Sequence, residues 1–469
     1  MAAIQFSGLA SGIDSAALID AIIEARESAN VLRRAEVEHI ESENSALGEL
    51  KTKLLALSDL IEPFRTVNGG GLSKKTNSST ATVATAAAST SAVNGSYTLT
   101  VSSLADTATG SIYHNSTTYA STSDVFDSTA TGTGEITILV GTGSDQVNIT
   151  VSNITATTTV QEVVDAINSD SDANGRLTAA AVNIGTSASP NYKIALTSQQ
   201  AGTAKGTISV SFSALSASIL YDNSDPATNA QFTIAGINGT ITRATNSVSD
   251  VISGVTFQLL SNGATTISVS DDADTTADRV NEIVEAYNDI VQYINENDVI
   301  TREEDADGSS PIFGSLAKTR VDDDFVTQFK SIISEAESTD GTSVAILADL
   351  GITTNRDGTL DFDADTFKSA MGQDTTGAAQ LLRDFADQAG GISGTIYQFT
   401  KIQGYIDVAV EWNNEAVDNL NSAIAQLERV TAKLRENLEG QFSRLESVMA
   451  ELQNKQQTLS SVLAGIQAG

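Results

Sequence analysis

Apolar residues recur at alternating intervals of three and four at both ends of the chain, and at intervals of two through much of its middle. From Val417 onward, Val417, Ile424, Leu438, Leu445, Leu452, Leu459 and Ile466 share one heptad position. Leu420, Leu427, Leu434, Val448 and Val462 share the other, and Thr431, Gln441 and Lys455 interrupt the seam. Such spacing holds an apolar stripe on one helix face for roughly 75 Å, far beyond the length of an ordinary globular helix. At the other end Leu47, Leu50, Leu54, Leu57, Ile61 and Phe64 repeat the pattern, and Leu18, Ile22, Ala25, Ala29 and Leu32 carry a thinner version upstream. The two ends are therefore predicted to pair as antiparallel coiled-coil helices, with Gln441 and Lys455 as markers of register or oligomeric state. Two amphipathic helices lying on a globular core would show the same stripes.

Residues 1–13 are expected to form a glycine-punctuated, flexible segment, and Asp14 or Ser15 supplies an N-cap. A helical hairpin or one long broken helix is expected to run to about Val67, with Pro63 interrupting it and Gly69 to Gly71 forming a hinge. Period-two alternation then predicts strands at Tyr97 to Leu104, Glu135 to Val140 and Val147 to Ile154, the last two joined as a hairpin through Gly141 and Gly143. A short amphipathic helix from Val160 follows, capped by Thr158 or Thr159. Next come YKIALTSQ and GTISVSFS, read as a second hairpin. FTIAGINGTI, VTFQLL and TTISVSD restore strands that should pair with those near Tyr97, making the surrounding domain discontinuous. Beyond Thr275 the pattern turns helical to the end, apart from a hairpin whose turn is Asn355, Arg356, Asp357 and Gly358.

Composition narrows the function. The net charge of −33, from 59 acidic and 26 basic residues, opposes binding to nucleic acid or to an anionic membrane surface. No stretch is apolar for long enough to span a bilayer, and the first residues lack the basic and apolar regions of a secretory signal. With no cysteine and only His39 and His114, there is no thiolate site and no basis for a histidine metal site or triad; both histidines read as surface residues. Asp305 and Asp307 sit in an acidic loop that fails the EF-hand pattern, because Gly308 comes too early and no glutamate closes it. Asp322, Asp323 and Asp324 read as charges favouring a helix N-terminus. Trp412 falls off the main seam and is expected to pack on the N-terminal helix. No cofactor and no enzymatic activity are indicated.

Several segments, in this order, resemble the flagellar filament-capping family, also called hook-associated protein 2. They are FSGLASGIDSAALIDAII, NGSYTLTVSSLADTA, TTTVQEVVDAIN with LTAAAVNIG and YKIALTSQQAG, NSVSDVISGVTFQLL, ADRVNEIVEAYNDIV, and LGITTNRDGTLDFDADTF. The resemblance covers nearly the whole chain and is thinnest over 105–135. It implies an α+β multidomain protein: a coiled-coil leg with a helical bundle, and two β-rich head domains, one inserted into the other. The expected divisions are 1–68 for the export segment and leg helices, 69–105 with 228–273 for one head domain, and 106–227 for the inserted one. Residues 274–404 make a helical leg domain with a hairpin, and 405–469 the C-terminal leg helix.

The implied function is a structural assembly factor, a homo-oligomeric ring at the distal tip of the extracellular flagellum that promotes insertion of exported flagellin. The implied partners are further copies of itself, flagellin, the hook-filament junction protein and a cytoplasmic export chaperone, with export through the flagellar type III pathway and no cleaved signal. Leu47, Leu50, Leu54, Leu57, Leu438, Leu445, Leu452, Leu459, Val462 and Ile466 are the expected docking and self-assembly residues. Some of them must be intramolecular, since each helix can bury a stripe against its own partner. A flagellin or hook-filament junction protein, or a stalked glycan-binding or adhesive protein, stays open on the residues alone.

Overall fold

The chain folds into two compact units, Met1–Arg65 with Ala277–Gly469, and Thr66–Thr276. The structure is a computed structural model that describes residues 14–65, 71–305, 308–336 and 343–467, with backbone alone at 302–305, 308–311 and 464–467. The expected flexible start, Gly69 and Gly70 of the hinge, and the side chains of Asp305 and Asp307 lie outside the described residues.

The first unit opens with α1 (Ser15–Ile61), a single helix of 47 residues rather than a hairpin or a broken helix. No proline falls within it and Gly48 is its one glycine, so nothing local stops propagation. Asp14 caps it by accepting from the Ala17 N–H at 3.1 Å, and Pro63 falls in the short 3-10 turn Glu62–Arg65 that follows.

The second unit holds β1 (Lys74–Ser78), β2 (Ala84–Ala88), β3 (Gly95–Ser103), β4 (Thr109–His114), β5 (Thr131–Val140), β6 (Val147–Thr155), α2 (Val160–Ser169), β7 (Leu177–Asn183) and β8 (Tyr192–Ser198). It continues with the short turn α3 (Thr203–Gly206), β9 (Ile208–Ser213), β10 (Ile219–Asp225), β11 (Ala230–Ile234), β12 (Ile241–Arg243), β13 (Ser247–Ile252), β14 (Val255–Leu259) and β15 (Gly263–Asp271). Two separate hydrophobic cores form. One uses Val83 to Ala105 and Ala230 to Val269. The other uses only residues from Ala108 to Ala227. Asp106 and Thr228, where the chain passes from one core to the other and back, exchange both backbone hydrogen bonds, at 3.0 and 3.2 Å.

Sheet order in the first core is β1-β15-β3-β11-β12 against β13-β14-β2. The strand around Tyr97 thus pairs with both β11 and β15. In the second core the sheets are β10-β4-β8-β7 and β6-β5-β9. The hairpin expected between YKIALTSQ and GTISVSFS does not form: β8 pairs with β4 and β7, and β9 pairs with β5. Gly202, at φ +82, and α3 turn the chain from one sheet to the other, a change of direction that alternation within each strand does not encode. Gly141, at φ +86, does turn β5 toward β6, and a Cβ there would lie 2.8 Å from the Asp145 carbonyl. Thr159 and Glu162 form a reciprocal capping box at the start of α2.

The chain then returns to the first unit through α4 (Ala273–Asn297), β16 (Ile300–Asp305), β17 (Gly308–Phe313), α5 (Val321–Glu335), β18 (Ile352–Thr354), β19 (Leu360–Phe362), α6 (Ala364–Gln373), α7 (Thr375–Gly390), α8 (Thr395–Thr400) and α9 (Tyr405–Gln467). The β16–β17 hairpin has no counterpart in the sequence reading. The β18–β19 hairpin is seated on α4 by Asn288, whose side chain donates to the Leu360 carbonyl at 2.8 Å and accepts from its N–H at 2.7 Å. Tyr287 stacks on Phe329 at 4.7 Å between ring centroids, and Phe325 meets Phe399 edge-on at 5.5 Å. Leu47, Leu50, Leu54, Leu57 and Ile61 are completely buried in this unit. Tyr293 of α4 donates to the Ala46 carbonyl, and Lys51 pairs with Asp407 of α9, locking that half of α1 in place.

Asp322, in the first turn of α5, is buried, and neither carboxylate oxygen has a hydrogen-bond partner among the described residues. Burial pushes its carboxyl up to about 6 from 3.8; backbone N–H groups of the helix start oppose the shift, and Asp323 and Asp298 add to it. The triplet does charge the helix N-terminus as expected from sequence, but its first member is held in the interior rather than in solvent.

Two predictions follow from this packing. Leu54→Ala should cost the helical unit about 3 kcal/mol in urea unfolding, the cost of a large core truncation. Asp322 binds its proton more tightly folded than unfolded, so its contribution to stability is fully present below about pH 4 and is lost as pH rises through about 6. Asp322→Asn should therefore stabilise the helical unit by about 3 kcal/mol at pH 7.5 and change it little at pH 4, as read from melting temperatures at the two pH values.

Candidate functional site

The described residues contain no catalytic constellation. No group of three His, Cys, Asp or Glu side chains among them could hold a metal ion, and no described helix is long and apolar enough to cross a membrane. His39 is half-buried on α1 rather than on the surface, its Nε2 without a partner; burial, then nearby Lys318, lowers its pKa below the ordinary imidazole value. His114 closes β4, where its Nδ1 accepts the Thr117 N–H at 3.0 Å. The two histidines lie in different units.

What the first unit does present is a long two-helix hairpin made from the chain ends. α1 and α9 run antiparallel. Lys51 pairs with Asp407, Asn44 donates to Asn414 at 3.1 Å, Asn30 donates to the Ile424 carbonyl at 3.3 Å, and Arg435 reaches Asp20 at 2.6 Å. Numbers rise on one helix as they fall on the other, so Ser15 stands opposite a point near residue 440. From there α9 continues for roughly 26 residues, about 39 Å, beyond the described start of α1.

This geometry divides the expected docking residues. Leu47, Leu50, Leu54 and Leu57 lie in the core of their own chain, because α7, α8 and α9 pack on that half of α1. Leu438 is half-buried near the end of the α1 contact. Leu445, Leu452, Leu459 and Val462 lie on the overhang and are exposed, Leu452 at 57% and Leu459 at 64%. The side chain of Ile466 lies outside the described residues.

Upstream on α1 the structure overturns the sequence reading. The row facing α9 is Ser15, Ile19, Ile23, Asn30 and Ile40, all buried. Leu18, Ile22, Ala25, Ala29 and Leu32 are exposed, Leu32 at 75%. Apolar spacing identifies a face that can be covered, but not whether the chain's own partner covers it. Ion pairs fix the register here: Arg34 with Glu428 and Arg435 with Asp20, each at 2.6 Å. Both are solvent-exposed pairs, worth under about 1 kcal/mol each.

Trp412 also departs from expectation. It is 70% exposed and, with Tyr405 and Phe399, lines an open groove beside the start of α5 that also contains Lys318 and Arg320. Its position off the heptad seam turns it away from α1. Sequence spacing placed it off the seam, and nothing in the sequence marked the α5 side as open.

Comparisons with known proteins bear on this arrangement. A family model described as flagellar hook-associated protein 2 N-terminus matches residues 11–108, and one described as its C-terminus matches residues 227–454. The chain is 31% identical to the B-type flagellar hook-associated protein 2 of Pseudomonas aeruginosa over 247 residues, 52% of this chain and 51% of that relative. It is 26% identical to the A-type protein of Pseudomonas aeruginosa over 494 aligned residues, 98% of this chain and 97% of the relative. Among solved structures, the D1-D2-D3 domains of the flagellar cap protein FliD from Escherichia coli superpose with a TM-score of 0.57 and 24% identity, covering 78% of this chain and 99% of that one, a likeness of fold. The two family matches take in α1, most of α9 and the strands of the first β-rich core, and the full-length relative spans the remainder: the chain belongs to the flagellar hook-associated protein 2 family.

Proposed function

We propose that this protein caps the distal end of the bacterial flagellar filament as a small homo-oligomeric ring and promotes the insertion of exported flagellin, without catalysis. The observation that carries this reading is the α9 overhang, a helix that projects an apolar heptad row past the described part of its partner in a chain whose relatives are hook-associated proteins. Helices in proteins draw most of their stability from packing an amphipathic face, so a row of leucines held in register there is suited to intermolecular packing. Leu438, Leu445, Leu452, Leu459, Val462 and Ile466 are the residues assigned to assembly and to docking on axial subunits such as flagellin and the hook-filament junction protein. Leu47, Leu50, Leu54 and Leu57 hold the helical unit that presents them.

In this reading the domains divide the work. The helical unit is the leg, and the β-rich unit is the head, its second core an insertion within the first. Before export through the flagellar type III pathway, a cytoplasmic chaperone covers the C-terminal leucines; after export the protein resides at the filament tip.

The mass of the purified full-length protein over a concentration series, with images of its binding to flagellin filaments, tests the proposal. A discrete ring that localises to filament ends is expected. Open-ended polymers would instead indicate a filament-forming axial protein, and a species that never binds filament ends would overturn the cap reading.

A further inference from the structure

The outer seam of the α1/α9 hairpin mixes polar with apolar residues, and an apolar row of similar size is left uncovered beside it. Ser15 and Asn30 of α1 and Thr431 of α9 are buried in the seam, whereas Leu18, Ile22 and Leu32 are exposed. Residues advance by about 100° around a helix, so the exposed α1 row sits about 90° from the row that faces α9. On α9 the half-buried Leu427, Leu434 and Leu438 are displaced by about 60° from Ile424 and Thr431, which face α1. Because the helices are antiparallel, both displacements point to the same side of the hairpin. The result is a shallow apolar groove along α1 and α9, shaped for a third helix.

The chain carries another uncovered row of matching period, on the α9 overhang. Leu18 to Leu32 and Leu445 to Leu459 each span fourteen residues, about 21 Å. The overhang cannot reach its own groove, since α9 runs unbroken from Tyr405 to Gln467 and carries these residues away from it. Charge permits the match between copies. The whole chain bears −33, but residues 15–34 balance Asp20, Glu24 and Glu27 with Arg26, Arg33 and Arg34. The overhang balances Glu446 and Glu451 with Arg444 and Lys455. The two surfaces can meet without the repulsion that the rest of the chain would impose.

We infer that the α9 overhang of one copy docks as a third helix in the α1/α9 groove of the next. This rests on the oligomeric cap reading and names the contact that builds it. Donor and acceptor are different surfaces, so the contact is heterologous and repeats around a ring instead of closing a two-fold dimer.

The absence of cysteine allows a direct test in the full-length chain. Ala25 and Leu452 are the midpoints of the two rows, so they come together whichever way the third helix runs. Ala25→Cys and Leu452→Cys proteins, mixed and mildly oxidised, should give a mixed disulfide dimer in excess over either homodimer, and the double variant a covalent ladder ending at the ring size. Leu18→Ser with Ile22→Ser should raise the concentration needed for assembly at least tenfold and leave thermal unfolding unchanged. Predominant Ala25→Cys homodimers, or an intact ring with no mixed disulfide, would overturn the docking and leave the cap reading standing. Thiol labelling of Ala25→Cys that is blocked at filament ends but free in the isolated ring would assign the groove to an axial subunit and also overturn it. Failure to bind filament ends at any concentration would count against the cap reading itself.

Discussion

The helical unit depends on the pairing of the chain's two ends, between α1 and α9. The contact between Lys51 and Asp407 spans 356 positions of sequence, and closing a loop of that length costs about 5 kcal/mol beyond a constant term. Burying one leucine contributes roughly 1.5–3 kcal/mol. Leu47, Leu50, Leu54 and Leu57 together therefore outweigh the closure, and they lie in the half of α1 that α7, α8 and α9 cover. The outer half of the hairpin has no such reserve: its seam is held by Ile19, Ile23, Asn30 and Ile424 with exposed ion pairs. The hairpin is thus firmly closed at its base and thinly held toward its tip, where the apolar rows of α1 and of the α9 overhang are exposed.

Of the polar groups buried in that thin seam, Asn30 bonds across it, its amide reaching the Ile424 carbonyl, and Thr431 bonds within its own helix, its hydroxyl on the Leu427 carbonyl. A sliding of α9 by one turn would separate the Asn30 amide from the carbonyl it now meets and part Asp20 from Arg435, while exchanging one aliphatic contact for another. Buried polar groups in coiled coils commonly fix register in this way at some cost in stability. Register matters here because it determines how much of α9 projects beyond α1.

Much of the fold was legible in the sequence because its periods are long and consistent. The terminal helices, the β5–β6 hairpin, α2 and the turn before Leu360 follow from spacing, caps and turn residues visible in single segments. Failures came where the deciding contact is distant. Strands β8 and β9 alternate alike, and only the turn through Gly202 and α3 sends them to different sheets. In β4 only Ile112 is buried, so its alternation is too faint to read. The docking residues show the same limit: Leu50 and Leu452 have equivalent heptad surroundings in sequence, yet one is enclosed and the other exposed. The difference is set by which elements pack on each segment: α7, α8 and α9 cover the half of α1 that carries Leu50, and no described element covers Leu452, a property that neither stripe contains.

The same limit applies to the exposed α1 row, whose spacing alone is that of an inner seam. Two helices can cover only one face of each other, and a sequence with two apolar rows on one helix is over-provided for a pair. Leu18 to Leu32 supplies the second row on α1, and the overhang supplies a row on α9 with nothing described opposite it. Such rows are tolerable because the rest of the chain carries a strong net negative charge, which opposes contact between copies. The two apolar strips are electrically balanced, so copies can approach there without the repulsion that the net charge imposes. In the docking inferred above, balanced charge would permit the contact and the heptads would supply its strength.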